Sequence, residues 1–216
     1  MSNISEKKTI LDVIARNFAL FYFVLGSLSF ALPSQTCAAG RGATAPGTYR
    51  DWNGDIDEVT IFQTFRADSY NDIVVESFDS TGVTLPNPRE NTYQAVQSAL
   101  RLMKPAFIEG LQLKLRHKPA DAGNVPRGKG QGLVIRARLS KLDPGSQAAR
   151  SWGFGAGAVK IAMTGEIVDA ASGKVLVRFR QERRSGFGAF GGGYGALFTR
   201  TVRQIGGDIA SLINAF

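Results

Sequence analysis

The side chains of this sequence that could take part in catalysis are few and stand apart. His117 is the only histidine, and it lies between Arg116 and Lys118 at the predicted end of a strand. Nucleophilic catalysis needs a serine or cysteine beside a base that a third group orients, and no such set accompanies His117. A hydrolase that uses His117 is therefore a less favoured hypothesis than the two binding functions given at the end of this subsection. We expect a protein that is not an enzyme, with no catalytic residues and no cofactor.

Two segments resemble ligand-binding loops but lack essential positions. Residues 123–129 match most of a phosphate-binding P-loop, yet Gly130 replaces the required Ser or Thr, and a strand is predicted where a helix should follow. Residues 51–57 resemble the opening of a calcium loop, but Ile56 and Phe62 replace its glycine and its bidentate glutamate. We expect no metal site, and we expect a turn built from Asx side chains at residues 51–57.

The N-terminal segment predicts export. Basic residues precede the apolar run Phe18–Leu32, which Pro33 ends. As a helix this run would span about 22 Å, less than the roughly 30 Å of a bilayer's hydrocarbon core. Small residues follow, and cleavage after Ala38 or Ala39 fits a signal peptide better than an uncleaved anchor. We predict a signal peptide over residues 1–39 and an exported protein that is periplasmic or associated with the outer membrane.

Cys37 is the only cysteine and follows the apolar run. A lipoprotein signal would use such a cysteine as its lipid-bearing first residue, but the preceding Ser34-Gln35-Thr36 lacks the leucine and the small residue that these signals prefer. Lipidation at Cys37 and its removal with the signal peptide are thus both left as hypotheses. In neither case does the mature chain have a pair of cysteines for a disulfide.

Periodicity predicts the elements that position the remaining polar residues. Apolar and polar residues alternate along three segments, which predicts strands over Leu133–Leu142, Val159–Asp169 and Val175–Arg183 in an antiparallel sheet covered on one side. The other predicted elements are a strand at 72–78, a helix that opens at 86–88 and stops at Gly110, a strand at 111–116, and a helix at 197–216. Gly206 and Gly207, inside this last helix, predict a close approach to the sheet or a local bend.

This order predicts an α+β fold, a two-layer sandwich in β-α-β-β-β-β-α order whose two amphipathic helices cover one face of a mostly antiparallel sheet. The domain prediction is a single α+β domain over residues 70–216, preceded by a flexible linker or loosely packed arm over residues 40–69. Two glycine-rich segments with aromatic residues, 151–157 and 186–195, flank the predicted hairpin. In the second, contact with a partner through Phe187, Phe190 and Tyr194 is left open.

The formal charge of +8 invites a nucleic-acid partner, but export excludes one. Six arginines on or near the polar face of the predicted sheet are candidates for contact with an anionic surface: Arg136, Arg138, Arg178, Arg180, Arg183 and Arg184. The alternative is a solvated basic surface that aids solubility.

Three linked motifs resemble a known family: residues 143–150, residues 153–157, and residues 168–176 with a glycine-rich loop before the last helix. The chain resembles, over roughly residues 70–215, the bacterial envelope family known as domain of unknown function number 4410. The resemblance implies the fold and an exported or lipoprotein-like location, and it brings no catalytic residues. The first hypothesis is therefore a non-enzymatic accessory module that contacts an unknown envelope protein. The second is a binder of anionic envelope lipid or glycan through the six arginines.

Overall fold

The computed structural model describes residues 36–37, 42–90, 92–116, 132–145, 158–185 and 194–216. In these residues, seven strands form one open sheet in the order β1-β2-β3-β7-β6-β5-β4. The strands are β1 (Thr36–Cys37), β2 (Gly47–Trp52), β3 (Ile56–Ile61), β4 (Asp72–Asp79), β5 (Gly132–Asp143), β6 (Val159–Asp169) and β7 (Val175–Ser185). The helices are α1 (Tyr93–Lys114) and α2 (Tyr194–Ile213). Both helices cover the same face of the sheet.

Alternation along the strands buries one face of the sheet and leaves the other open. In β6, Val159, Ile161 and Met163 are buried, while the residues between them are partly exposed. β5, β6 and β7 are antiparallel neighbours, and β4 lies parallel to β5 because α1 forms the crossover between them. The predicted α+β fold, with a mostly antiparallel sheet and two helices on one face, is confirmed.

The prediction of a linker or loose arm over residues 40–69 needs correction. β2 and β3 lie in this range as a hairpin, and β3 pairs with β7 to extend the sheet. Trp52 and Ile56, on either side of the hairpin turn, are buried in the common core. Of the elements in the described residues, β1, the two-residue edge strand, is the one that removal of the predicted signal peptide over residues 1–39 would take away.

The predicted strand over residues 111–116 is wrong, because α1 continues into it. The alternating leucines of the sequence fit a two-residue period, but Leu111 and Leu115 are buried and Leu113 between them is exposed, which a strand would not give because all three would share one face. Phe107, four residues before Leu111, is also buried and shows that the helical spacing continues. The predicted order changes accordingly, with three strands gained before α1, namely β1, β2 and β3, and one lost after it.

Glycines at the crossing of α1 and α2 let the two helix backbones touch. A Cβ atom on Gly110 would overlap the carbonyl oxygen of Arg203, and one on Gly206 would overlap the carbonyl oxygen of Phe107. Close-packed backbone cannot shift to admit a methyl group at these points, so both positions require glycine. The prediction that Gly110 ends its helix is therefore wrong. The close approach at Gly206 is to α1, not to the sheet.

We expect Gly110→Ala to lower the free energy of unfolding by about 1–3 kcal/mol, the usual cost of overpacking an interface. The matched control is Gly195→Ala in the first turn of α2, where an added Cβ meets no atom within 4 Å. Alanine favours the helix, so the control should lose no stability. Chemical denaturation followed by circular dichroism measures both, and equal losses would contradict the role of Gly110 at the crossing.

An aromatic cluster holds the connection between β3 and β4. Phe65 stacks on Phe216 with 4.3 Å between ring centroids and meets Tyr70 edge to face at 5.9 Å. The hydroxyl of Tyr70 donates a hydrogen bond to Oδ2 of Asp169 at 3.0 Å. Burial, this hydrogen bond and the charge of Asp169 raise the pKa of Tyr70 to about 12. Hydrogen bonds from the hydroxyl and the N–H of Ser172 lower the pKa of Asp169.

We expect the contact between Tyr70 and Asp169 to weaken at alkaline pH. A tyrosine whose pKa is raised by folding stabilises the fold below its unfolded pKa of about 10, and this contribution is lost as the pH rises through the folded value. Tyr70→Phe should therefore lower the melting temperature at neutral pH. Above the unfolded pKa of tyrosine, the variant should lose less stability per pH unit than the parent, because it lacks the hydroxyl that titrates. Identical alkaline slopes for the variant and the parent in thermal denaturation would contradict this linkage.

Candidate functional site

The open face of the sheet carries polar side chains in two rows that run across the strands. The register of β5, β6 and β7 aligns Arg138, Thr164 and Arg180 in the first row, and Arg136, Glu166 and Arg178 in the second. β4 and β3 extend the rows with Asp79 and Glu58 in the first, and Ser77 and Thr60 in the second. Side chains in register on adjacent strands are close enough to interact. We call these the two polar rows.

Each of the four arginines in the polar rows has an acidic partner on the same face. The nitrogen–oxygen distances are 2.6 Å for Arg136–Glu76, 2.8 Å for Arg178–Glu166, 3.4 Å for Arg138–Asp79 and 3.6 Å for Arg180–Glu58. Exposed pairs of this kind contribute only about 0–1 kcal/mol each to stability. The polar rows therefore display charges of both signs in fixed places, and these charges nearly cancel.

An open depression of about 330 Å³ lies over the centre of the polar rows, with Thr164 and the backbone of Gly165 among its lining residues. At one side, hydrogen bonds from the N–H and the hydroxyl of Thr81 lower the pKa of Asp79. The Asp79 carboxylate therefore stays ionised and keeps its charge beside Arg138. The depression is polar and open to solvent, which suits contact with another surface more than enclosure of a small molecule.

The last two of the six predicted arginines face opposite sides of the sheet. Arg184 lies on the open face by the alternation of β7, with its Nε 3.3 Å from Glu182. Arg183 faces the helices, where its Nε donates to Oδ2 of Asp208 at 2.7 Å. The placement of Arg183 on the arginine-rich face is thus corrected, because the two-residue period of a strand turns neighbouring side chains to opposite faces.

Asp208 is the centre of a buried polar cluster between α2 and the sheet. It is 3% exposed and accepts hydrogen bonds from Arg183 and, at 2.6 Å, from Nε2 of Gln181. The same Gln181 nitrogen donates to the backbone oxygen of Asp55 at 2.8 Å. Nζ of Lys114 lies 3.9 Å from Oδ1 of Asp208. The cluster therefore joins α2 to β7, to α1 and to the turn between β2 and β3.

The chemistry of this cluster suits a structural role. Burial raises the pKa of Asp208, while the hydrogen bond from Gln181 and the charge and hydrogen bond of Arg183 favour its ionised form. The carboxylate is enclosed by these donors and offers no open side to a substrate. The sequence pattern does not predict this role for Asp208. The one available signal was a charge within the apolar C-terminal half of α2, and its partners lie more than twenty positions away in the chain.

The aspartates of the calcium-like segment are engaged in the hairpin and its neighbours. The N–H of Gly54 donates to the carbonyl of Asp51 at 3.1 Å, which closes the turn between β2 and β3. Asp55 lies 3.4 Å from Arg183, and Asp57 accepts a hydrogen bond from the N–H of Glu182 at 2.7 Å. Among the residues that the structure describes, no group of three or more His, Cys, Asp or Glu side chains could hold a metal ion.

Several predicted motifs lie outside the described residues. These are His117, the P-loop-like segment 123–129, the glycine-rich segment 151–157, and Phe187 and Phe190 of the second glycine-rich segment. Tyr194 is the first residue of α2. Cys37 lies in β1, whose backbone pairs with β2, and its lipidation stays a prediction.

A family model described as Domain of unknown function (DUF4410) matches residues 73–189, which is more than half of the chain. The protein belongs to this family, as its linked motifs predict. The match covers β4, α1 and β5 to β7, the elements that carry most of the two polar rows. No curated protein matches the chain. Over the described residues, neither helix has the length and apolar character needed to cross a membrane.

The solved structures to which the chain is similar match it at low sequence identity and low TM-score. The PelC dodecamer from Paraburkholderia phytofirmans is 12% identical with a TM-score of 0.40, over 73% of this chain and 97% of that one. Protein XCC0632 from Xanthomonas campestris, of family DUF330, is 14% identical with a TM-score of 0.37, over 72% and 93%. The lipoprotein GNA1162 from Neisseria meningitidis is 16% identical with a TM-score of 0.29, over 65% and 98%. Identities and TM-scores this low do not carry an assembly or a partner over to this chain.

We expect Asp208→Ala to destabilise the protein by about 3 kcal/mol, the lower end for breaking a buried ion pair. The lower end applies because Arg183 is 28% exposed and can turn towards water once Asp208 is lost. The matched control is Asp57→Ala, which removes a carboxylate from an exposed hydrogen bond to Glu182 and should cost about 1 kcal/mol or less. Chemical denaturation measures both, and equal effects would contradict a special role for the buried cluster.

Proposed function

We propose that this protein is an exported, non-enzymatic module of the bacterial cell envelope that binds another envelope protein through the open face of its sheet. The observation that carries the proposal is the pair of polar rows. They place charges of both signs at set positions on a broad face that the helices leave uncovered. The predicted signal peptide supports the location, and mass spectrometry of the mature N-terminus in fractionated cells tests it.

The balance of charge in the polar rows favours a protein partner. A surface whose charges nearly cancel gains little from the uniform field of an anionic layer. The same surface discriminates strongly between partners whose charges do or do not match its own, because like charges brought together are costly. Breaking four weak, exposed ion pairs to make new ones across an interface also costs little. The open face is thus better suited to specific recognition than to general attraction.

A second candidate function is binding of anionic envelope lipid or glycan through the same arginines. The observation that favours it is the looseness of two ion pairs, Arg138–Asp79 at 3.4 Å and Arg180–Glu58 at 3.6 Å. The side chains of Arg138 and Arg180 are 63% and 60% exposed, so a phosphate or carboxylate could replace the present partner with a bidentate contact. Arg184, also on this face, would add to such a site.

We expect the double charge reversal Arg138→Glu and Arg180→Glu to abolish partner binding. A photo-crosslinking amino acid at Thr164, between these arginines in the first polar row, should give a discrete protein adduct in cells. The reversal should reduce this adduct about tenfold or more, because like charges would then oppose the partner's acidic groups. The melting temperature should change little, since both side chains are exposed.

The matched control is Lys174→Glu and Arg200→Glu, an equal change of charge at exposed positions in the β6–β7 turn and on α2. The adduct should persist in this control. Loss of the adduct in both variants would mean that net charge alone governs contact. Absence of any protein adduct at Thr164, together with salt-sensitive retention on anionic glycan or lipid that the arginine variant loses, would replace the first function by the second.

A further inference from the structure

The outward side of α1 carries exposed leucines on one line. Leu102 and Leu113 are 51% and 69% exposed, although most apolar residues of α1 are buried. They lie about 16 Å apart along the helix axis. Because this separation is about three full helical turns, both leucines lie on the same side of α1. Pro105 and Glu109 between them are exposed as well. We call Leu102, Pro105, Glu109 and Leu113 the outer stripe of α1.

The charge around the outer stripe is positive. The basic residues of α1 and its end are Arg101, Lys104, Lys114 and Arg116. Lys104 donates to the backbone oxygen of Glu76 in β4 at 3.5 Å, and Lys114 lies 3.9 Å from Asp208. Glu109 is the one acid in α1, and its Oε2 lies 2.8 Å from a guanidinium nitrogen of Arg203, so its charge is compensated. Within the described residues, Arg101 and Arg116 have no acidic partner, in contrast to the arginines of the polar rows.

We propose that the outer stripe is a peripheral contact site for a lipid bilayer with anionic headgroups. Exposed leucines flanked by arginine allow a helix to lie in the interface, with the leucines at the boundary of the hydrocarbon and the guanidinium groups at the phosphates. The Glu109–Arg203 ion pair in the middle of the stripe keeps the contact at headgroup depth, because burying it in hydrocarbon would be costly.

Charge and size favour a bilayer over a second protein at this site. The uncompensated groups beside the leucines are all positive, which complements an anionic surface. Two exposed leucines are too few for the buried centre of a stable protein interface, but they add to the attraction of basic residues for anionic lipid.

The membrane contact would leave the proposed partner surface free. The helices lie on one face of the sheet and the polar rows on the other, so a bilayer at the outer stripe is on the opposite side of the sandwich from the polar rows. This inference goes beyond the proposed function because it uses different residues. Its test in purified components does not depend on whether a protein partner exists.

The experiment is co-sedimentation of the protein, purified as cells produce it, with vesicles of phosphatidylcholine alone or with added phosphatidylglycerol. Binding should require phosphatidylglycerol and weaken with salt. Leu102→Gln with Leu113→Gln, which keeps good helix formers at both exposed positions, should lower partitioning on the order of tenfold. Leu113→Trp should keep binding and show a blue-shifted fluorescence on vesicles that contain phosphatidylglycerol.

The matched control is Arg50→Gln with Lys174→Gln, which removes two exposed charges outside the outer stripe and the polar rows and should leave vesicle binding unchanged. Full binding by the leucine variant, with loss of binding on Arg138→Gln with Arg180→Gln, would overturn the inference and favour the open face as the lipid site. Equal binding of the parent and the leucine variant would overturn it as well. So would a change in oligomeric state, measured by light scattering, in the leucine variant without a change in partitioning, because the stripe would then be a contact between copies.

Discussion

The direct contact between the backbones of α1 and α2 is the constraint on which the helical layer depends. It requires glycine at Gly110 and Gly206, because any Cβ atom there would overlap a carbonyl group of the other helix. The far end of the pair is closed by Asn214, whose amide donates to the carbonyl of Lys114 at 2.8 Å and accepts from the N–H of Arg116 at 3.1 Å. The helices therefore act as one unit on the sheet.

The buried cluster at Asp208 fixes how that unit sits on the sheet. Apolar contacts between a helix and a sheet are not directional and tolerate a shift of the helix along its axis. A buried carboxylate does not tolerate such a shift, since it must keep its donors on β7. Gln181 also belongs to the cluster, and its side-chain amide donates a hydrogen bond to the backbone of the β2–β3 turn. The hairpin that sequence analysis took for a linker is thus tied to the last helix of the chain.

The two outer surfaces of the sandwich differ in how their charges are arranged. On the open face every arginine of the polar rows has an acidic neighbour, which suits recognition of a matching pattern. On the helical side Arg101 and Arg116 are unpaired within the described residues and stand near exposed leucines, which suits an anionic layer. The net positive charge of the chain therefore says less about its partners than the places where basic residues have or lack an acidic neighbour. Only the ion pairs in the structure show those places.

The sequence by itself determined the central strands, the two amphipathic helices, the fold class and the family, because local periodicity and turn residues carry that information. It also placed Arg136 and Arg178 on one face, since a two-residue period defines faces. Only the tertiary structure decided that residues 111–114 are helical, that β2 and β3 join the sheet, and that Gly110 lies inside a helix crossing. It alone paired Asp208 with Gln181 and Arg183. These features depend on contacts between segments far apart in the chain, for which a short run of residues holds no signal.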